Sequence, residues 1–208
     1  MQASSAPSFL DALPGAVVMA PMTKGSNLPY RRLAMELGAR VLMSEMVVAR
    51  RLKQRDPKVK VLFYLNAFIN WPGYESFKTY RPEWTLRDTK GKEVMKTATV
   101  SRPDPSNAEF REWWSDVVAA EMKRGPVDGV FVDALPQALT PGLAKALGPE
   151  KAKAVVAGLR EMIALTKRKL GPGRVVVANG IRTTSFREIL DWEGIDFVMI
   201  EHFAGFNC

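Results

Sequence analysis

Two carboxylates in this 208-residue chain stand where chemistry is easily done. Asp133 closes the apolar run Val130-Phe131-Val132, and Glu201 closes Val198-Met199-Ile200. A carboxylate directly after a buried strand costs free energy unless it is solvated, paired or put to work. Two of them aimed into one cleft make an acid/base or nucleophile/acid pair. The alternative for each is a helix cap or a structural hydrogen-bonding group.

Other polar residues follow apolar runs in the same way. They are Pro21-Met22-Thr23, Ser44-Glu45, Tyr64 with Asn66, Asn179, and His202 beside Glu201. Asn179-Gly180 suits either a substrate hydroxyl or a turn, since Asn-Gly is a strong turn dipeptide. His202 titrates near neutral pH and is either an aid to Glu201 or a structural histidine. Between residues 67 and 105 lie Phe68, Trp71, Tyr74, Phe77, Tyr80 and Trp84. Trp71 suits stacking on a sugar ring, whereas Phe77 and Tyr80 suit a satellite hydrophobic cluster under a long loop.

Composition removes several other chemistries. The one cysteine, Cys208, excludes an internal disulfide and a cysteine-based zinc site, and the single histidine excludes two-histidine metal motifs. A carboxylate site for Mg or Ca stays open; no metal is assigned. Glycine-rich phosphate loops and the Gly-x-Ser-x-Gly elbow are absent. No apolar run approaches the ~18 residues of a membrane span. No signal peptide is recognisable over residues 1–14, so a cytoplasmic location is the default expectation. The net charge of +8 is uneven: residues 1–60 hold ten Lys and Arg against four Asp and Glu. Arg50, Arg51, Lys53 and Arg55 head the one basic cluster, which is either a solvated helix end or a phosphate contact.

The elements that must position these residues alternate. Continuous apolar runs at 16–22, 40–45, 59–66, 128–133, 174–179 and 196–201 predict six strands buried on both faces, as in parallel sheets. A helix is expected over 28–37. Another follows Ser106, with Ser106 and Glu109 as its capping box, and stops at Gly125. A third starts at Pro149 and stops at Gly171. The last opens on Ser185 and Glu188 and shows Phe186, Ile189 and Leu190. The order means an α/β fold, either an open doubly wound sheet or a (β/α)8 barrel. In both, the reactive groups sit at the C-terminal strand ends. The insert at 67–105 carries a hairpin signal at Asp88-Thr89-Lys90-Gly91.

Several motifs then occur in a telling order. They are Phe63-Tyr64-Leu65-Asn66, Pro82-Glu83-Trp84, Leu86-Arg87-Asp88, Gly91-Lys92, Phe110-Arg111-Glu112-Trp113-Trp114, Asp128 to Pro136, Ala178-Asn179-Gly180-Ile181-Arg182, and Ile200-Glu201-His202-Phe203. From residue 59 to the end, the chain resembles a glycoside hydrolase family with a TIM-barrel fold. The resemblance implies Asp133 as nucleophile or base and Glu201 as acid/base. It also implies a carbohydrate contacted by Tyr64, Asn66, Trp71, Asn179, Arg182 and His202, with no cofactor.

Residues 16–54 are different. Ala20-Pro21-Met22-Thr23, Asn27-Leu28-Pro29-Tyr30-Arg31-Arg32, Gly38-Ala39 and Ser44-Glu45-Met46 resemble the first βαβ unit of tRNA-dihydrouridine synthases. That resemblance implies FMN held by Pro21, Met22 and Thr23, and tRNA met by Arg50, Arg51, Lys53 and Arg55. The family's Asn-x-Gly-Cys-Pro motif is missing.

The expectation is therefore an N-terminal tail over 1–15 and a single domain over 16–208. This domain is a partial or hybrid (β/α)8 barrel with about six parallel strands. It acts on a poly- or oligosaccharide through Asp133 and Glu201. The alternatives are an FMN-binding, dihydrouridine-synthase-like oxidoreductase and an inactive barrel fragment. Six strands cannot close an eight-stranded barrel, so self-association through open edges is also expected.

Overall fold

A computed structural model describes residues 18–19, 36, 41–42, 53–54, 57–179 and 184–199. Contacts group the chain into residues 1–60 and 61–208. In the first group, β1 (Val18–Met19) pairs in parallel with β2 (Val41–Leu42). Of the expected helix over 28–37, only Glu36, which is helical, lies within the described residues.

The second group carries the main sheet. Strands β3 (Leu62–Asn66), β4 (Gly129–Asp133), β5 (Val175–Asn179) and β6 (Phe197–Met199) lie side by side in that order, all parallel. The fold is α/β and matches part of a (β/α) barrel. The apolar runs are longer than the strands they form. Residues 59–61 and 128 precede their strands, and there Asp128 accepts from the Val61 N–H through Oδ2 at 2.8 Å.

Strand side chains alternate between two faces. One face presents Leu65, Val130, Val132, Val176 and Ala178, all buried. Helices α1 (Ala108–Arg124) and α3 (Pro149–Leu170) supply its partners, Trp114, Val118, Leu159, Met162 and Ile163, in one continuous core. Burying a Leu, Ile or Met side chain is worth about 1.5–3 kcal/mol, so this layer dominates the stability. Gly158 lets α3 approach closely: a Cβ there would overlap the backbone carbonyl of Pro105. The other face presents Tyr64 and Asn66 on β3 and Phe131 and Asp133 on β4.

Helix ends follow their sequence signals, with corrections. Pro149 opens α3 and Gly171 closes it. Helix α1 is capped by Asn107, not Ser106. The Asn107 side chain accepts from the N–H groups of Glu109 (2.8 Å) and Phe110 (3.2 Å). The Ser106 hydroxyl is taken elsewhere. It donates to Asp104 Oδ1 at 2.6 Å and accepts from Lys151 Nζ at 2.8 Å. A short helix, α2 (Pro141–Leu147), was not evident from the apolar pattern. The expected last α-helix is a 3-10 helix, Thr184–Asp191, in which Ile189 is buried but Leu190 is exposed.

The insert between β3 and α1 folds on itself. Leu86 N–H donates to Arg102 C=O (2.9 Å), Arg102 N–H to Val94 C=O (2.9 Å), and Val94 N–H to Leu86 C=O (2.8 Å). Three short segments thus close a triangle of antiparallel bridges around buried Leu86 and Val100. The turn expected at 88–91 is present, with Gly91 at a φ of 76° that favours glycine.

Candidate functional site

Parallel pairing fixes which residues meet at the C-terminal strand ends. Tyr64 faces Phe131 and Asn66 faces Asp133 across β3 and β4. Ala67 N–H continues the ladder to the Asp133 carbonyl at 3.0 Å. Trp114 of α1 donates its indole N–H to the Asn66 carbonyl at 2.9 Å, fixing the end of β3 against the helix layer.

Asp133 is surrounded by donors. Its Oδ2 accepts from the Tyr64 hydroxyl at 2.6 Å. Its Oδ1 accepts from Asn179 Nδ2 at 2.9 Å and from the Ala134 N–H at 2.8 Å. Ala134 reaches that position with a φ of 69°, the one described non-glycine residue in the left-handed region. Such strain next to a carboxylate is typical of positions the surroundings over-determine.

Behind Tyr64 stands Asn66, which is buried. Its Nδ2 donates to both the Tyr64 and the Tyr74 hydroxyl oxygens, each at 2.9 Å. The Tyr64 ring stacks on Phe131, with centroids 6.0 Å apart. It nevertheless keeps 47% of its surface exposed, so the Asp133 carboxylate lies at an open end of the sheet. Burial, and then the hydrogen bond to Asp133 and its charge, push the Tyr64 phenol above its ordinary value. Burial likewise pushes Tyr74 up. Both phenols therefore stay protonated and able to donate across the neutral range.

A guanidinium joins the loops on either side. Arg102 donates to the Phe68 carbonyl at 3.2 Å and to Gln137 Oε1 at 2.9 Å, and lies over the Phe68 ring at 5.0 Å. Phe68 follows β3 and Gln137 follows β4, so this contact braces the two loops that flank Asp133. Burial holds the Arg102 pKa below its usual value.

The structure brings Tyr64, Asn66 and Asn179 together with Asp133. Trp71 is half-buried and packs against the core. Tyr80 meets Trp84, Phe110 and Trp113 edge-on, with Phe77 stacked outside it at 6.2 Å; Trp84 and Phe110 belong to the main core, so Tyr80 extends that core and is not part of a separate satellite cluster. Glu201, His202 and Arg182 lie outside the described residues, as do Pro21, Met22, Thr23, Arg50, Arg51 and Arg55. Lys53 is helical and half-exposed. Tyr74 was visible in the sequence only as one aromatic among six, with nothing to mark it as the second phenol on Asn66. No group of three or more potential metal ligands occurs among the described residues. No described helix is long and apolar enough to cross a membrane.

Comparison with sequence families matches residues 53–207, three quarters of the chain, to the family described as hypothetical glycosyl hydrolase family 15. The chain belongs to that family. Comparison with curated proteins finds no match. Among solved structures, Ega3 of Aspergillus fumigatus, in complex with galactosamine, superposes with a TM-score of 0.53 at 11% identity. That match covers 89% of this chain and 64% of Ega3. A variant of the glycoside hydrolase domain of PelA from Pseudomonas aeruginosa gives 0.53 at 13% identity, covering 80% of this chain and 60% of that one. A variant alpha-galactosidase AgaA from Geobacillus stearothermophilus, in complex with stachyose, gives 0.52 at 12% identity, covering 83% and 29%. At these identities the likeness concerns the fold, which is that of (β/α)8 barrels. The chain spans less than two thirds of the length of each of these structures. The family match begins at residue 53, and the comparisons give no support to the dihydrouridine-synthase resemblance of residues 16–54.

Proposed function

We propose that this chain is the barrel part of a glycoside hydrolase, with Asp133 as its nucleophile or base and Glu201 as its acid/base. The observation that carries the proposal is the setting of Asp133. It ends a parallel strand at the rim where barrel enzymes hold their reactive groups. Three donors converge on its two oxygens. A carboxylate held this way is an aimed acceptor, suited to attack an anomeric carbon or to draw a proton from water. Glu201 enters on the sequence. It directly follows the apolar run Val198-Met199-Ile200, where a carboxylate calls for a partner or a task.

The substrate we propose is a poly- or oligosaccharide. Family membership supports a carbohydrate, and exposed Tyr64 offers the flat aromatic edge on which a sugar can rest. Asn179 and Asn66 position Asp133 and Tyr64, with Trp71, Arg182 and His202 proposed as further sugar contacts. Residues 16–208 are proposed as one barrel-like domain. Nothing among the described residues favours FMN, tRNA or self-association.

The test uses activated aryl glycosides. Asp133→Asn is expected to abolish turnover, while Glu201→Gln spares the first step on substrates with good leaving groups. Full activity in folded Asp133→Asn overturns the assignment. Circular dichroism is needed beside it, because an amide in place of Asp133 sets an N–H against one of the donors now converging there.

A further inference from the structure

Asp133 is held by the loops on either side of it, and one distant side chain ties those loops together. Ala67, just after β3, donates its N–H to the Asp133 carbonyl at 3.0 Å. Ala134, just after β4, donates its N–H to Asp133 Oδ1 at 2.8 Å. The residue after Ala67 is Phe68, whose carbonyl accepts from Arg102 Nη1 at 3.2 Å. Gln137 donates its N–H to the Ala134 carbonyl at 3.1 Å, and its Oε1 accepts from Arg102 Nη2 at 2.9 Å. Arg102 comes from the far end of the insert, where backbone hydrogen bonds to Val94 and Leu86 anchor it.

We propose that Arg102 is a positioning residue for Asp133. Its guanidinium straps the loop after β3 to the loop after β4, and so keeps the Ala67 and Ala134 N–H groups on Asp133. For its effect on turnover this rests on the reading of Asp133 as a reacting group; for its effect on the two loops it does not.

Two observations carry it. The guanidinium is half-buried, and among the described residues the two groups that accept from it are both neutral. A cation half out of water with neutral partners is a poor source of stability. What it does supply is geometry. Its planar fork sends donors in fixed directions from two nitrogens, so one side chain holds acceptors on two separate loops. The Phe68 ring faces it at 5.0 Å. The second observation is Ala134. Alanine has no preference for a φ of 69°, so contacts beyond the turn must hold it there. Buried Leu135 and Pro136 seat the apolar side of that turn. Gln137 ties its polar side to Arg102.

Amide NMR spectra of the full chain test the strap. Arg102→Met keeps the apolar stem and removes both hydrogen bonds, whereas Gln137→Met keeps the cation and frees only the loop after β4. An amide proton held on an oxygen moves upfield as that hydrogen bond lengthens. The Ala134 signal should therefore move upfield in both variants and the Ala67 signal in Arg102→Met alone, with the Val177 signal of β5 unmoved. An Ala134 signal that stays in place overturns the proposal. If Arg102→Met does not fold, Gln137→Met decides. Kinetics on an activated aryl glycoside give the second reading. In Arg102→Met, kcat should fall about tenfold to a hundredfold with KM little changed, as expected for a slight misplacement of a reacting group. Arg102→Lys keeps the charge but not the fork, and its kcat should fall between the two. Full activity in Arg102→Met, or a lysine variant equal to the unaltered protein, overturns the positioning role. Adding Gln137→Met to Arg102→Met should lower kcat no further, because both cut the same tie; effects that multiply overturn the link through Gln137. If the unaltered protein hydrolyses no glycoside, the functional reading fails, while the amide signals still decide the strap.

Discussion

Asn66 and Asp133 are register partners across β3 and β4, and Tyr64 joins them: Asn66 Nδ2 donates to the Tyr64 oxygen, and the Tyr64 hydroxyl donates to Asp133. The join follows from the pleat. Tyr64 and Asn66 are two residues apart on one strand, so they share a face, and the neighbouring strand puts Asp133 opposite the second of them. A buried amide thereby fixes a phenol, and the phenol fixes a carboxylate. All three belong to rigid strands, the supports on which a site is held most closely.

Replacing Tyr64 by Phe isolates the last of these links. The ring can keep its place on Phe131, so the fold should survive with little change in melting temperature. A hydrogen bond to a charged group is worth about 1.5–3 kcal/mol, and losing one that positions the reacting group should lower kcat about tenfold to a hundredfold. Steady-state kinetics on an activated aryl glycoside make the measurement. An unchanged kcat would show that Tyr64 does not hold Asp133 for the reaction.

Ala134→Gly should move stability and activity in opposite directions. A left-handed backbone costs an alanine about 1–2 kcal/mol, and glycine escapes that cost. Glycine also loosens the unfolded chain, which takes back about 0.4–1 kcal/mol. The net gain lies between about 0 and 1.6 kcal/mol, a rise of at most about 3–6 °C in melting temperature for a chain of this size. The same freedom loosens the Ala134 N–H on Asp133 Oδ1, so kcat should drop. A lower melting temperature would contradict the strain assigned to this residue.

The alkaline limit of stability should depend on Tyr80. Burial among Trp84, Phe110 and Trp113 pushes its phenol up to about 12. An unfolded tyrosine titrates near 10, so above that pH the unfolded chain gives up this proton before the folded one does. The stabilisation is therefore whole below about pH 10 and is lost as pH climbs toward 12. Urea unfolding at pH 8, 10 and 11 should show a shallower decline for Tyr80→Phe than for the unaltered protein. Tyr64 and Tyr74 are also raised, so part of the slope should remain. Identical slopes would place Tyr80 in water.

Much of this was legible in the residues. Val130-Phe131-Val132 announces a buried strand, and Pro149 and Gly171 mark both ends of a long helix, because these signals act over a few neighbours. Asp133 was legible as a carboxylate that a strand end leaves over. What was not legible is tertiary. Ser106 looks as good a cap as Asn107 until Lys151, far along the chain, claims its hydroxyl. Nothing near Tyr74 in sequence says that its oxygen will meet the Asn66 amide. The left-handed turn at Ala134 escapes notice because alanine carries no local preference for it.

Thr166 offers the last test, one that leaves the site alone. Its hydroxyl donates to the Met162 carbonyl at 2.7 Å and shares a 2.9 Å hydrogen bond with Ser115 of α1. Both side chains are fully buried between the two helices. With its proton committed to Met162, Thr166 is the acceptor and Ser115 the donor. Thr166→Val keeps the shape and removes that acceptor, so Ser115 is left with an unmet buried O–H at about 1–3 kcal/mol. Thr166→Ser keeps the hydroxyl and loses one methyl, at about 1 kcal/mol. The double change Thr166→Val with Ser115→Ala removes both polar groups and should recover much of the loss. Chemical denaturation of these proteins, together with the single variant Ser115→Ala, gives the cycle. If Thr166→Val is no less stable than the unaltered protein, this hydrogen bond contributes nothing to the packing of α1 on α3.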